Sequence, residues 1–281
     1  MARTRTRRDL CPGALRPWSA TDGMLVRLRL IGGRVSSTSL RALADVSGEY
    51  GDGRVHLTSR ANLQVRGLPS SGSGLDPEVL AAIESTGLLP TRSHELIRNV
   101  MVSPQTGLAG GRADLWAVAG DLDARLCADP DLAVLPGRFL FVLDDGRGDL
   151  LGRGCDLGLV ALDHESAQLR VGDGHGPVVS ISAAAARIAE LAQEFAVRRG
   201  TGASAPWHVA ELPDLLVPGA APDPRLPEPS PPLPFGAVRG GVHVEVAADG
   251  LDRTSIAELT AEAATLVVTP WRGVLIPEET P

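Results

Sequence analysis

The sequence predicts an α+β fold in which two copies of one strand–helix–strand module flank a different α/β segment. Three observations predict it. Residues 24–68 read as strand, helix, strand. Residues 241–278 repeat that unit in the same order. Residues 94–210 carry helices and short strands that match neither copy.

In the first copy, "MLVRLRLIGG" alternates Val26, Leu28 and Leu30 against Arg27 and Arg29, and Gly32-Gly33 ends the strand. "SSTSLRALADVSGEY" places Leu40, Leu43, Ala44 and Ser47 at helical spacing, behind serines that can cap the helix. After the turn "YGDG", "VHLTSRANLQVRG" (55–67) alternates as one strand. Val55, Leu57, Ala61, Leu63 and Val65 take one face. His56, Thr58, Arg60, Asn62, Gln64 and Arg66 take the other, with no acid among them.

The middle segment opens on "ELIRNVMVSPQTG". Leu115, Val118, Leu122 and Leu126 predict a helix over 113–127. "RFLFVLDD", "LGLVAL", "AQLRV" and "PVVSI" predict strands, and a second helix follows over 183–199. Asp144-Asp145 fall in a turn. Residues 212–234 are rich in proline and read as an extended linker.

In the second copy, "VHVEV" (242–246) matches "VRLRL" (26–30), and "LDRTSIAELTAEA" (251–263) matches "VSSTSLRALADVS" (35–47). Thr254-Ser255 lie on Thr38-Ser39. After a shorter turn, "LVVTPWRGVLIPE" (266–278) matches "VHLTSRANLQVRG". The predicted organisation is therefore a disordered basic tail (1–14), a first half (15–90), a middle lobe (91–211), the linker (212–234) and a second half (235–281).

The 281 residues suffice for a large core, and 43% hydrophobic with 22% charged residues reads as a soluble globular chain. A net charge of -7 and 3% aromatics disfavour general nucleic-acid binding. No stretch approaches a membrane span, and "MARTRTRRDL" lacks the apolar run of a signal peptide, so a cytoplasmic protein is expected. Cys11, Cys127 and Cys155 suit a reducing compartment, and none of the histidines or cysteines has metal-ligand spacing. The glycine-rich stretches lack the frames of dinucleotide and phosphate loops. No catalytic residue can be named from these patterns.

The two copies keep their apolar pattern and differ on their polar faces. Arg27 and Arg29 become His243 and Glu245, and Arg60 and Asn62 become Trp271 and Gly273. A fold constraint alone would preserve only the apolar pattern. Arg27, Arg29, Arg60 and Arg66 are thus expected on one sheet face suited to a polycarboxylate, because arginine forks bind carboxylates bidentately.

Together, "RPWSATDGMLVRLRLIGG", "HLTSRANLQVRG", "RNVMVSPQTG" and "VTPWR" resemble the sirohaem-dependent nitrite/sulfite reductase superfamily, and most closely its precorrin-3B synthases of aerobic cobalamin biosynthesis. The resemblance implies two ferredoxin-like half-domains paired by a pseudo-twofold, with a sirohaem-type lobe between them. It implies an oxidoreductase using sirohaem or a related tetrapyrrole with a [4Fe-4S] cluster. It assigns anion and tetrapyrrole binding to Arg27 or Arg29, Arg60 and Arg98, with Asn62, Gln64 and Arg66 on the same face. Asn99 lies beside Arg98 in "RNV". In "LPGRFLFVLDD", Arg138 fits the first of two family cations, and Leu140 replaces the second, which argues against sulfite reduction. The family's C-x5-C and C-x3-C pairs, which hold the cluster, are absent from this sequence. That departure implies a partner chain carrying the cysteine lobe, a truncated product, or a non-catalytic tetrapyrrole-binding paralogue.

Overall fold

The computed structural model describes residues 9–202 and 204–278. The chain divides into two compact units. One joins 11–96 to 233–278; the other comprises 97–232 with Asp9 and Leu10.

The first unit begins with β1 (Trp18–Ala20), β2 (Gly23–Leu28) and β3 (Arg34–Ser36). Next come α1 (Ser37–Tyr50), β4 (His56–Leu57) and β5 (Leu63–Leu68). A short ribbon, β6 (Ser70–Ser71) and β7 (Gly74–Leu75), leads to α2 (Pro77–Ser85). The sheet order is β1-β2-β5-β4. Ser36 caps α1 by accepting the Ser39 N–H, which turns Leu40 and Leu43 fully into the core. Asp76 and Pro77 start α2, whose Val79 and Ile83 are buried in the same core.

The stretch 55–67, expected as one strand, is instead a hairpin. The Thr58 N–H donates to the Asn62 carbonyl (2.9 Å), the Asn62 N–H donates to Thr58 Oγ1 (3.1 Å), and Ala61 takes a left-handed φ of 55°. The Thr58 hydroxyl closes the turn, so the alternating pattern runs across it without a glycine or proline to mark it. The expected tail is also shorter than 1–14. Residues 1–8 lie outside the described residues, but Gly13 and Ala14 are buried, and the Ala14 N–H donates to Glu95 Oε2 (2.6 Å).

The second unit contains β8 (Val100–Val102), α3 (Trp116–Ala128), β9 (Phe141–Asp144), β10 (Leu157–Ala161), β11 (Ser166–Val171), β12 (Gly174–Ser180) and α4 (Ile181–Arg199). Strands β8, β9 and β10 run parallel, and β11 and β12 extend the sheet antiparallel. Phe139, Phe141 and Phe195 pack ring to ring at its centre. The proline-rich segment 212–234 forms neither helix nor strand, and it packs on this unit. Leu212, Leu216 and Val217 are buried, and the Gln168 side chain donates to the Ala221 carbonyl and accepts from the Asp223 N–H.

The chain then returns to the first unit with β13 (Gly236–Val238), β14 (Gly241–Glu245), α5 (Arg253–Leu259), β15 (Thr265–Val268) and β16 (Gly273–Pro277). Strand order repeats that of the first half, β13-β14-β16-β15, with β3 added at the edge. Register repeats too: Arg27 faces Gln64, and the matching His243 faces Leu275. Asp252 caps α5 through Ser255, as Ser36 caps α1 through Ser39. Arg272 has a φ of 60°, at the position matching Ala61. The halves also exchange backbone pairing. Val35 pairs with Leu266, and Leu251 pairs with Val55. The sequence match equates Val35 with Leu251 and Val55 with Leu266, so these are one contact seen twice under a pseudo-twofold. The fold is therefore mixed α and β with two ferredoxin-like halves sharing one core.

Candidate functional site

Three strands lay a polar row across the first half's sheet. Arg27 on β2 faces Gln64 on β5, which faces His56 on β4. Val26, Leu28, Leu63 and Val65 alternate with these residues into the core and fix their outward direction. The Arg27 Nη2 donates to Gln64 Oε1 (3.1 Å), while its Nε is buried and has no hydrogen-bond partner among the described residues. Burial lowers the pKa of this guanidinium. A buried N–H on a cation left without an acceptor is costly, and a ligand oxygen would satisfy it. The matching row of the second half is His243, Leu275 and Val267, without a fixed charge. His243 Nδ1 donates to the Leu233 and Pro234 carbonyls, and Nε2 accepts from Thr269 Oγ1. Burial lowers its pKa, against the two backbone hydrogen bonds.

The other predicted residues fall in different settings. Arg29 is buried (3% exposed), and its Nη1 donates to the Pro12 carbonyl, tying the 11–16 segment to the sheet. Arg60 sits in the β4–β5 turn and not on the strand face. Asn62 is buried, with Oδ1 accepting the Leu30 N–H (2.9 Å), so it braces the turn. Arg66 pairs with Asp22 (3.1 Å), and His56 pairs with Asp52 (2.7 Å). The face that carries no acid in its own strand thus meets acids from turns at its ends.

Arg98, Asn99 and Arg138 belong to the second unit. Arg98 is buried and lays its fork on Asp123, with Nε to Oδ1 at 2.6 Å and Nη2 to Oδ2 at 2.8 Å. Burial opposes its charge, but the hydrogen bond and charge of Asp123 outweigh this and leave its pKa raised. Asn99 donates to the Gly137 carbonyl (2.8 Å). Both hold the unit together. Arg138 is exposed and lies 5.7 Å over the Trp207 ring. Leu140 is buried, so the second family cation position points into the core. Sequence reasoning missed Glu95, a buried acid that accepts the Ala14 and Leu15 N–H groups. Burial raises its pKa against those hydrogen bonds and the nearby Arg29 charge. No local signal marks it, because its partners lie about eighty positions away.

The Asp144-Asp145 pair does form a turn. Asp144 accepts the N–H groups of Gly146, Gly148 and Leu150, and Asp145 is forked by Arg147. Nearby, burial and the Asp144 charge push the Asp149 carboxyl up to about 7, against its hydrogen bond from Ser103. Its folded pKa exceeds the unfolded value of 3.8, so the folded state holds the proton more tightly. Stability should therefore fall as pH rises from about 4 to about 7 and then level off. Asp149→Asn should flatten that slope and raise stability at pH 8 by roughly 2 kcal/mol, a linkage value discounted for partial exposure. Chemical denaturation at pH 5 and pH 8 measures it, and an unchanged slope in the variant would refute the assignment.

The thiols do not form a metal-binding set. Cys155 is buried, with Sγ donating to the Gly172 carbonyl, and burial pushes its pKa to about 11. Cys127 lies against Asp123. Among the described residues no three His, Cys, Asp or Glu side chains are arranged to hold a metal ion. Also among them, no helix is long and apolar enough to cross a membrane.

Residues 19–72 match the nitrite/sulfite reductase ferredoxin-like half domain, so the chain carries that half domain over this stretch. Its relatives include the ferredoxin–nitrite reductase of Synechococcus elongatus, 32% identical over 130 residues that make up 44% of this chain and 25% of that protein. The precorrin-3B synthase of a Sinorhizobium species is 37% identical over 65 residues, 23% of this chain and 14% of that protein. Sulfite reductase [ferredoxin] 2 of Mycolicibacterium paratuberculosis is 25% identical over 156 residues, 54% of this chain and 26% of that protein. The matches thus span about a quarter or less of these relatives. The structure of Mycobacterium tuberculosis NirA protein shares the fold, with a TM-score of 0.70 at 20% identity, over 91% of this chain and 54% of that one.

Proposed function

We propose that the chain is the tetrapyrrole-binding part of an oxidoreductase of the precorrin-3B synthase type, acting in the cytoplasm in cobalamin biosynthesis. The observation that carries this reading is the unpartnered, buried Arg27 Nε in a polar row that the second half lacks. Tetrapyrrole carboxylates supply the acceptors that this row needs. Gln64 holds one arm of the Arg27 fork, leaving Nε for a ligand oxygen. The buried Leu140 disfavours sulfite, a small dianion that calls for dense positive charge. The identity to nitrite reductases supports nitrite reduction as the second reading.

A bound sirohaem-type tetrapyrrole would supply the redox chemistry; Arg27 and Gln64 would bind and orient its carboxylates. The donor set of this chain does not fit a [4Fe-4S] cluster, since such a cluster takes four thiolates and this chain has three cysteines. In this reading a partner polypeptide brings the cluster ligands. Titration with uroporphyrin, a polycarboxylate porphyrin, tests the reading by fluorescence quenching. Saturable binding that weakens between 50 and 500 mM salt is expected. Absence of binding at low salt would exclude it. Binding together with dye-linked nitrite reduction by the reconstituted protein would favour the second reading.

A further inference from the structure

The two halves share a topology but differ in how the helix side of the sheet is covered. In the first half, Val26, Leu28, Leu30 and Val65 are at most 4% exposed. The 14-residue α1 covers them, and α2 adds Val79 and Ile83 to the same core. At the matching positions of the second half, Val242 is 44% exposed, and Val244 and Ile276 are only partly buried. There α5 has only seven residues. The result is a groove of about 620 Å³, floored by Val242, Val244, Val246, Leu259 and Ile276. Its rim carries Glu245, Glu258 and Glu262, which form no ion pair among the described residues; Asp249 on the same rim pairs with Arg54.

We propose that this groove receives an amphipathic helix from another polypeptide segment, with apolar residues at i and i+4 and arginines or lysines on its flanks. In the first half, α2 seats Val79 and Ile83, four positions apart, in the core that also holds Val26, Leu28 and Val65. A helix laying such a stripe into the groove would bury the exposed valine floor. The acidic rim selects the charge. α2 itself carries Asp76, Glu78 and Glu84, so a copy of it would be repelled where a basic helix is attracted.

The test uses the full chain and a fluorescein-labelled 16-residue peptide, Ala-rich, with Val and Ile at i and i+4 and four arginines on its flanks. Fluorescence anisotropy should show saturable binding in the micromolar range, weaker by tenfold or more with glutamates in place of the arginines. Val242→Arg, at an exposed position, should keep the far-UV circular dichroism and thermal midpoint and lose binding at least tenfold. Binding that survives Val242→Arg, or equal binding of the glutamate peptide, would overturn the proposal. A concentration-dependent dimer abolished by Val242→Arg would also overturn it, by assigning the face to a second copy of the chain.

Discussion

Replacing Arg98 with alanine is expected to destabilise the second unit by about 3 kcal/mol, the usual cost of removing one partner from a buried ion pair. The guanidinium is 9% exposed and its carboxylate partner 22%. Removing the cation leaves Asp123 facing a cavity, with its two short hydrogen bonds lost. Partial solvation of Asp123 keeps the loss below the upper end of that range. The thermal midpoint should fall by several degrees. Arg98→Lys should recover part of the loss, because it restores the charge without the fork. Differential scanning calorimetry decides between two roles. A variant of unchanged stability that has lost uroporphyrin binding would make Arg98 a ligand residue rather than a structural one.

Arg27→Ala is expected to do the reverse. It should weaken uroporphyrin binding by about 10- to 100-fold, as loss of a charge-assisted contact does, with little loss of stability. Little stability should be lost because the side chain hydrogen-bonds Gln64 and carries a buried N–H with no partner among the described residues, which costs free energy in the unliganded state. Its thermal midpoint should stay within about 2 °C of wild type or rise. Arg27→Lys should restore only part of the affinity, since a single ammonium cannot donate to Gln64 and a carboxylate as a fork does. Arg27→Ala that binds uroporphyrin as tightly as wild type would remove the observation on which the proposed function stands.

The repeat is the part of this molecule most legible in its sequence. Matching 26–30 to 242–246 and 35–47 to 251–263 predicts equal topology, because the apolar positions that define a half-buried strand recur. It also makes the two cross-half pairs seen in the structure, Val35 with Leu266 and Leu251 with Val55, equivalent to each other. The hairpin within 55–67 escapes the same reading when the first copy is viewed alone. Ser59 and Asn62 look like strand residues there, yet Pro270 and Gly273 stand at the matching positions and spell a turn. Transferring turn signals between copies would have found it.

The arginines show where sequence stops. Alternation placed Arg27, Gln64 and His56 on the outward face, because a strand's side-chain period is fixed by backbone geometry, whereas Arg29 and Asn62 are buried and Arg60 lies in the turn. It could not determine what each arginine meets next. Arg98 meets Asp123, Arg29 meets the Pro12 carbonyl, Arg66 meets Asp22, and the Arg27 Nε meets no acceptor among the described residues. Those partners lie 25, 17 and 44 positions away, respectively, for the three that are satisfied. Local periodicity therefore fixed the two-copy sheet and its polar face. Only the tertiary structure decided which cation on that face is left for a ligand, because satisfying a guanidinium depends on acceptors that the folded chain brings from afar.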